Sequence, residues 1–128
     1  MRYYIDSSVL IAILFQENLS RKYLPLLKKA GELFSSHLLE AEVYSTAARE
    51  SLKFEDVSEM IESVSLVIPD RSLKEEYQQI FAEGYCRGAD SLHLATALYL
   101  DPKAKHITFL SADTKQKSLA KKLGFQTI

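Results

Sequence analysis

The 128 residues include one cysteine, three prolines, four glycines and no tryptophan. Each shortage removes a class of protein. The single thiol, Cys86, allows no internal disulfide and no Cys-based zinc site, and it fits a reducing compartment. Its ordinary role is that of a small, half-buried apolar residue. There is no internal repeat, low-complexity tract or Gly/Pro/Ser linker, so one domain spanning 1–128 is expected. Charge of one sign is also lacking: the formal net charge is −1 and the pI is near 6.3, which gives no global case for nucleic-acid or membrane binding. No apolar run is long enough to span a bilayer. The stretch Val9–Phe15 is followed by Gln16, Glu17 and Asn18 rather than a small-residue cleavage site. A cytoplasmic location is the expectation.

What is present is a soluble-protein balance, 47% apolar and 26% charged, with the charges unevenly placed. Acidic residues outnumber basic ones between Glu40 and Asp90. From Lys103 to Lys122 the bias reverses, with Lys103, Lys105, Lys115, Lys117, Lys121 and Lys122 set against Asp113 alone. Such a run is either a solvated helix face or a surface for phosphates. Short strand-like runs, at 2–5, 33–35, 65–68, 106–110 and 125–128, alternate with helical ones at 8–15, 19–30, 38–52, 56–64, 71–85, 89–100 and 114–123. That alternation predicts a parallel sheet covered on both faces.

Acidic residues interrupt this pattern at telling places. Asp6 stands in YYIDSSVLIAILF, between an apolar strand and an apolar helix. A charge there needs a basic side chain, a helix N-terminus or a metal ion as partner. Asp113 follows the fourth strand in ITFLSAD, the same strand-end position, where capping the next helix is a full alternative explanation. In open α/β sheets such C-terminal strand ends are where functional groups gather. Asp90 begins the apolar helix ADSLHLATALYL, as its cap or in a polar cleft. In LLEAEVYSTAAR, helical geometry puts Glu40 and Glu42 on opposite flanks of the stripe Leu39, Val43, Thr46 and Ala47. Periodicity does not choose between them.

Taken together, YIDSSVLIA, LLEAEVYSTA, GADSLHLATAL and ITFLSAD resemble the PIN-domain ribonucleases, and among these the VapC-type toxins of toxin–antitoxin pairs. The resemblance implies a PIN-like three-layer α/β/α fold with a five-stranded parallel sheet ordered 3-2-1-4-5. It also implies a catalytic, metal-binding cluster of Asp6, Glu42, Asp90 and Asp113, so it selects Glu42 over Glu40. Ser111 matches a Ser or Thr position beside the last acid, and Ser7 and Ser111 are expected to support the cluster from behind. His93 resembles a common family position and reads as a half-buried helix residue. The implied activity is a Mg²⁺- or Mn²⁺-dependent endoribonuclease restrained by an antitoxin protein. The helical pair at 19–30 and 38–52, with Tyr23, Leu24, Leu27, Tyr44 and Leu52, adds the expectation of a homodimer.

The residue types agree with that chemistry. Clustered carboxylates repel one another unless a cation joins them. All-oxygen donors suit Mg²⁺ or Mn²⁺ better than zinc. Arg49, Arg87 and the lysines Lys115, Lys117, Lys121 and Lys122 are the basic residues available to hold RNA phosphates. Two other classes compete. One is a PIN-fold binding module without activity. The other is an Asp-dependent phosphoryl-transfer domain, which fits less well because Ser8 stands where a phosphatase would carry a second Asp.

Overall fold

A computed structural model describes residues 1–15 and 20–128. Strand β1 (Arg2–Ile5) leads into α1 (Ser7–Leu14), and α2 (Ser20–Lys29) precedes β2 (Glu32–Ser36). Helices α3 (Leu38–Arg49) and α4 (Phe54–Glu62) lead to β3 (Ser65–Val67). Then come α5 (Lys74–Glu83), α6 (Gly88–Leu100), β4 (Ile107–Leu110) and α7 (Thr114–Lys122). The expected start of α2 at Leu19 lies outside the described residues.

The sheet is parallel, with the order β3-β2-β1-β4. Four strands are present among the described residues, not the five expected. The terminal segment 125–128 contributes a single parallel bridge, Thr108 to Gln126, with the Phe109 N–H donating to the Gln126 carbonyl at 2.8 Å. Gly124, at φ 106°, turns the chain out of α7 in the left-handed region that glycine adopts without strain. Only a short tail follows it, too little to extend a ladder.

Strand alternation divides the core in two. Tyr3 and Ile5 face α1–α4 and pack with Val9, Leu10, Tyr23, Leu39, Val43 and Leu110. Tyr4 faces the other way and packs with Leu94, Leu98, Phe109 and Leu119. Such period-2 partition is what a sheet covered on both faces requires. In α3 the residues Leu39, Val43 and Ala47, four apart, make the buried stripe. Helix α6 is buried along most of its length, from Ser91 to Leu98. It is therefore the central helix of its layer, as its nearly all-round apolarity predicts. Because β1 lies between β2 and β4, the strand order reverses beside β1, and the residues after Ile5 and Leu110 emerge together.

Candidate active site

Asp6 is the floor of this region. Ile5 pairs with Leu110, and the Asp6 N–H donates to the Leu110 carbonyl at 3.3 Å. The chain then turns into α1 with Asp6 as its N-cap. The Oδ1 atom accepts from the Ser8 N–H at 3.1 Å and from the Ser8 hydroxyl. The Oδ2 atom accepts from the Ser111 hydroxyl at 2.5 Å. Each hydroxyl is itself oriented by a backbone donor, Ser8 Oγ by the Ala112 N–H at 2.8 Å and Ser111 Oγ by the Asp113 N–H at 3.0 Å. A hydroxyl has one proton, so accepting from the backbone leaves that proton to point at Asp6. The buried Tyr23 of α2 donates to the Ser111 carbonyl at 2.7 Å and fixes this turn. Asp6 is 4% exposed. Burial pushes its carboxyl above the ordinary range, although the Ser111 and Ser8 hydrogen bonds and the nearby His93 pull it back.

Ser8, not Ser7, therefore supports Asp6 from α1. The cap carboxylate reaches the N–H of the second helical residue, which is Ser8. Ser7, at the first, makes no side-chain hydrogen bond among the described residues.

Glu42 is half-buried on α3, whereas Glu40 is exposed. Its Oε1 lies 2.7 Å from His93 Nε2, and His93 Nδ1 lies 3.1 Å from the Tyr4 hydroxyl. Both ring nitrogens are therefore engaged, Nε2 by the Glu42 carboxylate and Nδ1 by the Tyr4 hydroxyl. His93 is 1% exposed. Its ring thus connects β1, α6 and α3 and fixes where Glu42 points.

Asp90 and Asp113 line one cleft of about 670 Å³, together with Tyr85, Arg87, Lys115 and Lys122. Asp90 lies in the first turn of α6, whose cap is Arg87, so it is a cleft residue and not the cap. Burial raises its pKa, the charges of Asp113 and Glu42 add to the rise, and His93 and Arg87 oppose it. Asp113 does cap its helix: Oδ1 accepts from the Lys115 N–H at 2.8 Å and the Gln116 N–H at 3.3 Å. Its Oδ2 takes no hydrogen bond among the described residues. The two helices are tied by buried Gln116, whose Nε2 donates to the Asp90 carbonyl at 2.9 Å.

The family comparison matches residues 3–122 to the PIN domain. The chain belongs to the PIN-domain family. No curated protein matches it. PIN domains are generally nucleases, and the α/β fold with its parallel sheet agrees with that membership. No helix among the described residues is long and apolar enough to cross a membrane.

Within this PIN fold the four acids fall into linked pairs. Asp6 connects to Asp113 through Ser111, and Asp90 feels the charges of both Asp113 and Glu42. No three His, Cys, Asp or Glu side chains among the described residues converge into a metal-holding group. The donor chemistry nonetheless suits a hard cation, since the donors are carboxylate oxygens and Asp90 feels the charges of Asp113 and Glu42.

The basic residues divide. Lys115, Lys122 and Arg87 line the cleft. Lys117 faces Lys22 of α2 instead, and burial together with that repulsion lowers its pKa. Lys121 is exposed and off the cleft. Arg49 pairs with Glu50 at 3.1 Å and is also off the cleft. Sequence reasoning missed Ser8, Tyr23, Gln116 and Tyr85. For Ser8 a signal existed, because a cap Asp followed two residues later by Ser is a local hydrogen-bonding pattern. For Tyr23 and Gln116 there was none, since both act through tertiary contacts.

Proposed function

We propose that this PIN-domain chain is a Mg²⁺- or Mn²⁺-dependent endoribonuclease that cuts single-stranded or looped RNA. One observation carries the reading: a buried carboxylate, Asp6, is held at the switch point beside Asp113, while the cleft that holds Asp113 and Asp90 is bordered by Arg87, Lys115 and Lys122. Acids that repel one another and cations at the rim suit a phosphate that brings its own charge next to a metal.

In this reading Asp6, Glu42, Asp90 and Asp113 hold the cation. A bound divalent ion supplies Lewis acidity toward a phosphodiester oxygen and an acidified water. Ser8 and Ser111 orient Asp6 and favour its ionised form against burial, and His93 keeps Glu42 turned inward. Gln116 keeps the start of α6 against α7, so Asp90 and Asp113 share one cleft. Arg87, Lys115 and Lys122 hold substrate phosphates. Arg49, Lys117 and Lys121 are then peripheral, acting at most on a longer strand.

The toxin role, with a cognate antitoxin that brings Arg or Lys into the acidic cleft, follows the same proposal. So does a homodimer. The apolar residues expected at its interface are largely absorbed: Tyr23 is buried and Leu27, Tyr44 and Leu52 pack on the core, leaving Leu24 of that set exposed. Sedimentation at micromolar concentration tests the dimer.

The absence of a three-acid group among the described residues favours a second reading, a PIN-fold binding module without activity. One experiment separates the two. Wild-type protein should cut labelled RNA when Mn²⁺ or Mg²⁺ is added, and Asp6→Asn should not. RNA left intact by wild-type protein with either metal rejects the nuclease.

A further inference from the structure

The link between α5 and α6, Gly84–Arg87, carries an aromatic that folding does not explain. Tyr85 is 87% exposed, and Phe81, one turn earlier on α5, is 45% exposed with its ring centroid 6.5 Å away. Every other tyrosine of the described core layers is covered or half-covered. Leaving two large rings in water at one place gives no stability and usually marks a surface that something covers.

The position of Tyr85 limits what that something is. The residue lines the same cleft as Asp90, Asp113, Arg87, Lys115 and Lys122. A ligand that covers the ring must therefore also satisfy three cations and approach two carboxylates. A polyanion with flat apolar groups at regular intervals satisfies the cations and covers the ring, and in the proposed reading a metal ion meets the carboxylates. A protein partner with an acidic surface would satisfy the cations but has no reason to place a planar face on Tyr85.

We infer that Tyr85 is a stacking platform for an unpaired nucleobase whose neighbouring phosphate is held by Arg87, Lys115 and Lys122 beside Asp90 and Asp113. The inference rests on the ribonuclease reading of the cleft and goes beyond it by assigning the residue that takes an unpaired base. Every base has a π-face, so stacking on one tyrosine tolerates sequence yet demands that the base be out of a duplex. Arg87, two residues on, takes the phosphate as the base lies on Tyr85. The link packs beside α7, a Cβ at Gly84 standing at the ordinary contact distance of 3.6 Å from the Leu119 side chain. The platform and the lysines of α7 thus share one wall.

The test uses the full chain in EDTA, so that binding is read without cleavage. Fluorescence anisotropy compares a short unstructured oligoribonucleotide, the same strand in a duplex and an abasic strand. Wild-type protein should bind the single strand more tightly than the duplex, and Tyr85→Ala should weaken single-strand binding about tenfold. Tyr85→Trp should restore it, and the abasic strand should bind wild type and Tyr85→Ala alike. The slope of log K against log salt should stay unchanged in Tyr85→Ala, while Lys122→Gln should reduce it by about 0.7. Equal affinity of wild type and Tyr85→Ala for the single strand would overturn the platform and leave the nuclease standing. An equal loss on the abasic strand would do the same. Wild-type protein that binds none of the three RNAs would overturn the platform, and the cleavage assay with Mn²⁺ then decides the nuclease separately.

Discussion

Two aspartates at opposite ends of β4 are equally hidden from water and behave in opposite ways. Asp101, before the strand, and Asp6, beside its end, are each 4% exposed. Each carboxylate receives three hydrogen bonds. Asp101 accepts from the backbone N–H groups of Lys105 at 3.2 Å, His106 at 2.8 Å and Ile107 at 2.9 Å. Burial pushes its pKa up, but those three donors and the charge of His106 outweigh it, and the net shift is downward. For Asp6 the balance is upward. Asp101 lies shallow, under its own turn, with donors fixed by the backbone. Asp6 lies deep, and two of its three donors are hydroxyls. Asp101 is stabilised where it sits, closing the connection from α6 to β4. Burial outweighs the three donors of Asp6, and in the proposed reading that upward balance is what a bound cation would reverse.

The sharpest way to break this comparison is to remove each charge in turn. In a metal-dependent RNA-cleavage assay, Asp6→Asn or Asp90→Asn should lower the rate at least about a hundredfold, because metal-derived transition-state stabilisation is worth several kcal/mol. Asp101→Asn should leave the rate per folded molecule unchanged. A large rate loss in Asp101→Asn with the fold intact would dissolve the distinction.

Stability should move the other way. Hydrogen bonds to a charged acceptor contribute about 1.5–3 kcal/mol each, and an Asn amide turned toward backbone N–H groups loses at least one. Urea denaturation should therefore show Asp101→Asn destabilised by about 2 kcal/mol. Asp6→Asn, in EDTA, should be as stable as wild type or more so, since a buried charge is removed.

How far the sequence carried this distinction depends on the distance over which each residue acts. Asp6 was legible because it breaks a local apolar pattern, and Asp113 because a strand and a helix meet there. The order of the strands and the choice of Glu42 over Glu40 came from family resemblance, since helical periodicity is symmetric about the stripe. The His93 bridge to Glu42 was not legible, because its partners lie 51 and 89 residues away. Asp101 escaped notice for the opposite reason: an Asp in a turn before a strand looks ordinary. The fifth strand was over-read from the apolar ends of 125–128, where Phe125 is buried as a core residue and not as part of a ladder.

Titration sharpens the same contrast with smaller effects. Asp101 and Glu76 have lowered folded pKa values, the latter through Arg71 at 2.6 Å. Their stabilisation is present above the unfolded carboxylate pKa of about 4 and is lost as pH falls through the folded values. Asp6 and Asp90 have raised values, so their contribution is present below about pH 4 and is lost as pH rises through the folded values. The Tm of Asp6→Asn minus that of wild type, in EDTA, should therefore grow as pH rises from about 4 toward neutrality. Saturating Mn²⁺ at neutral pH should raise the wild-type Tm and shrink that gap, with about 2.7 kcal/mol expected at a hundredfold excess over Kd. A gap that stays constant with pH would mean that Asp6 is not held ionised at a cost.

The smallest effect on the rate separates two adjacent serines. Ser8 receives the Ala112 N–H and donates to Asp6, whereas Ser7 makes no side-chain hydrogen bond among the described residues. Ser8→Ala should cost about 1.5–3 kcal/mol of stability, because it removes a donor to a charged acceptor and leaves the Ala112 N–H without its partner. It should also weaken metal-dependent cleavage about tenfold, as loss of a residue supporting a metal ligand commonly does. Ser7→Ala should change stability by less than about 0.5 kcal/mol and leave the rate nearly unaltered. Ser111→Ala should exceed Ser8→Ala, because its hydroxyl joins Asp6 to the Asp113 backbone and so connects two of the acids. The discriminating measurement is the metal concentration that gives half-maximal cleavage. It should rise for Ser8→Ala and Ser111→Ala and stay at the wild-type value for Ser7→Ala. Equal shifts for Ser7 and Ser8 would show that Asp6 is oriented by the start of α1 as a whole and not by the relayed hydroxyl.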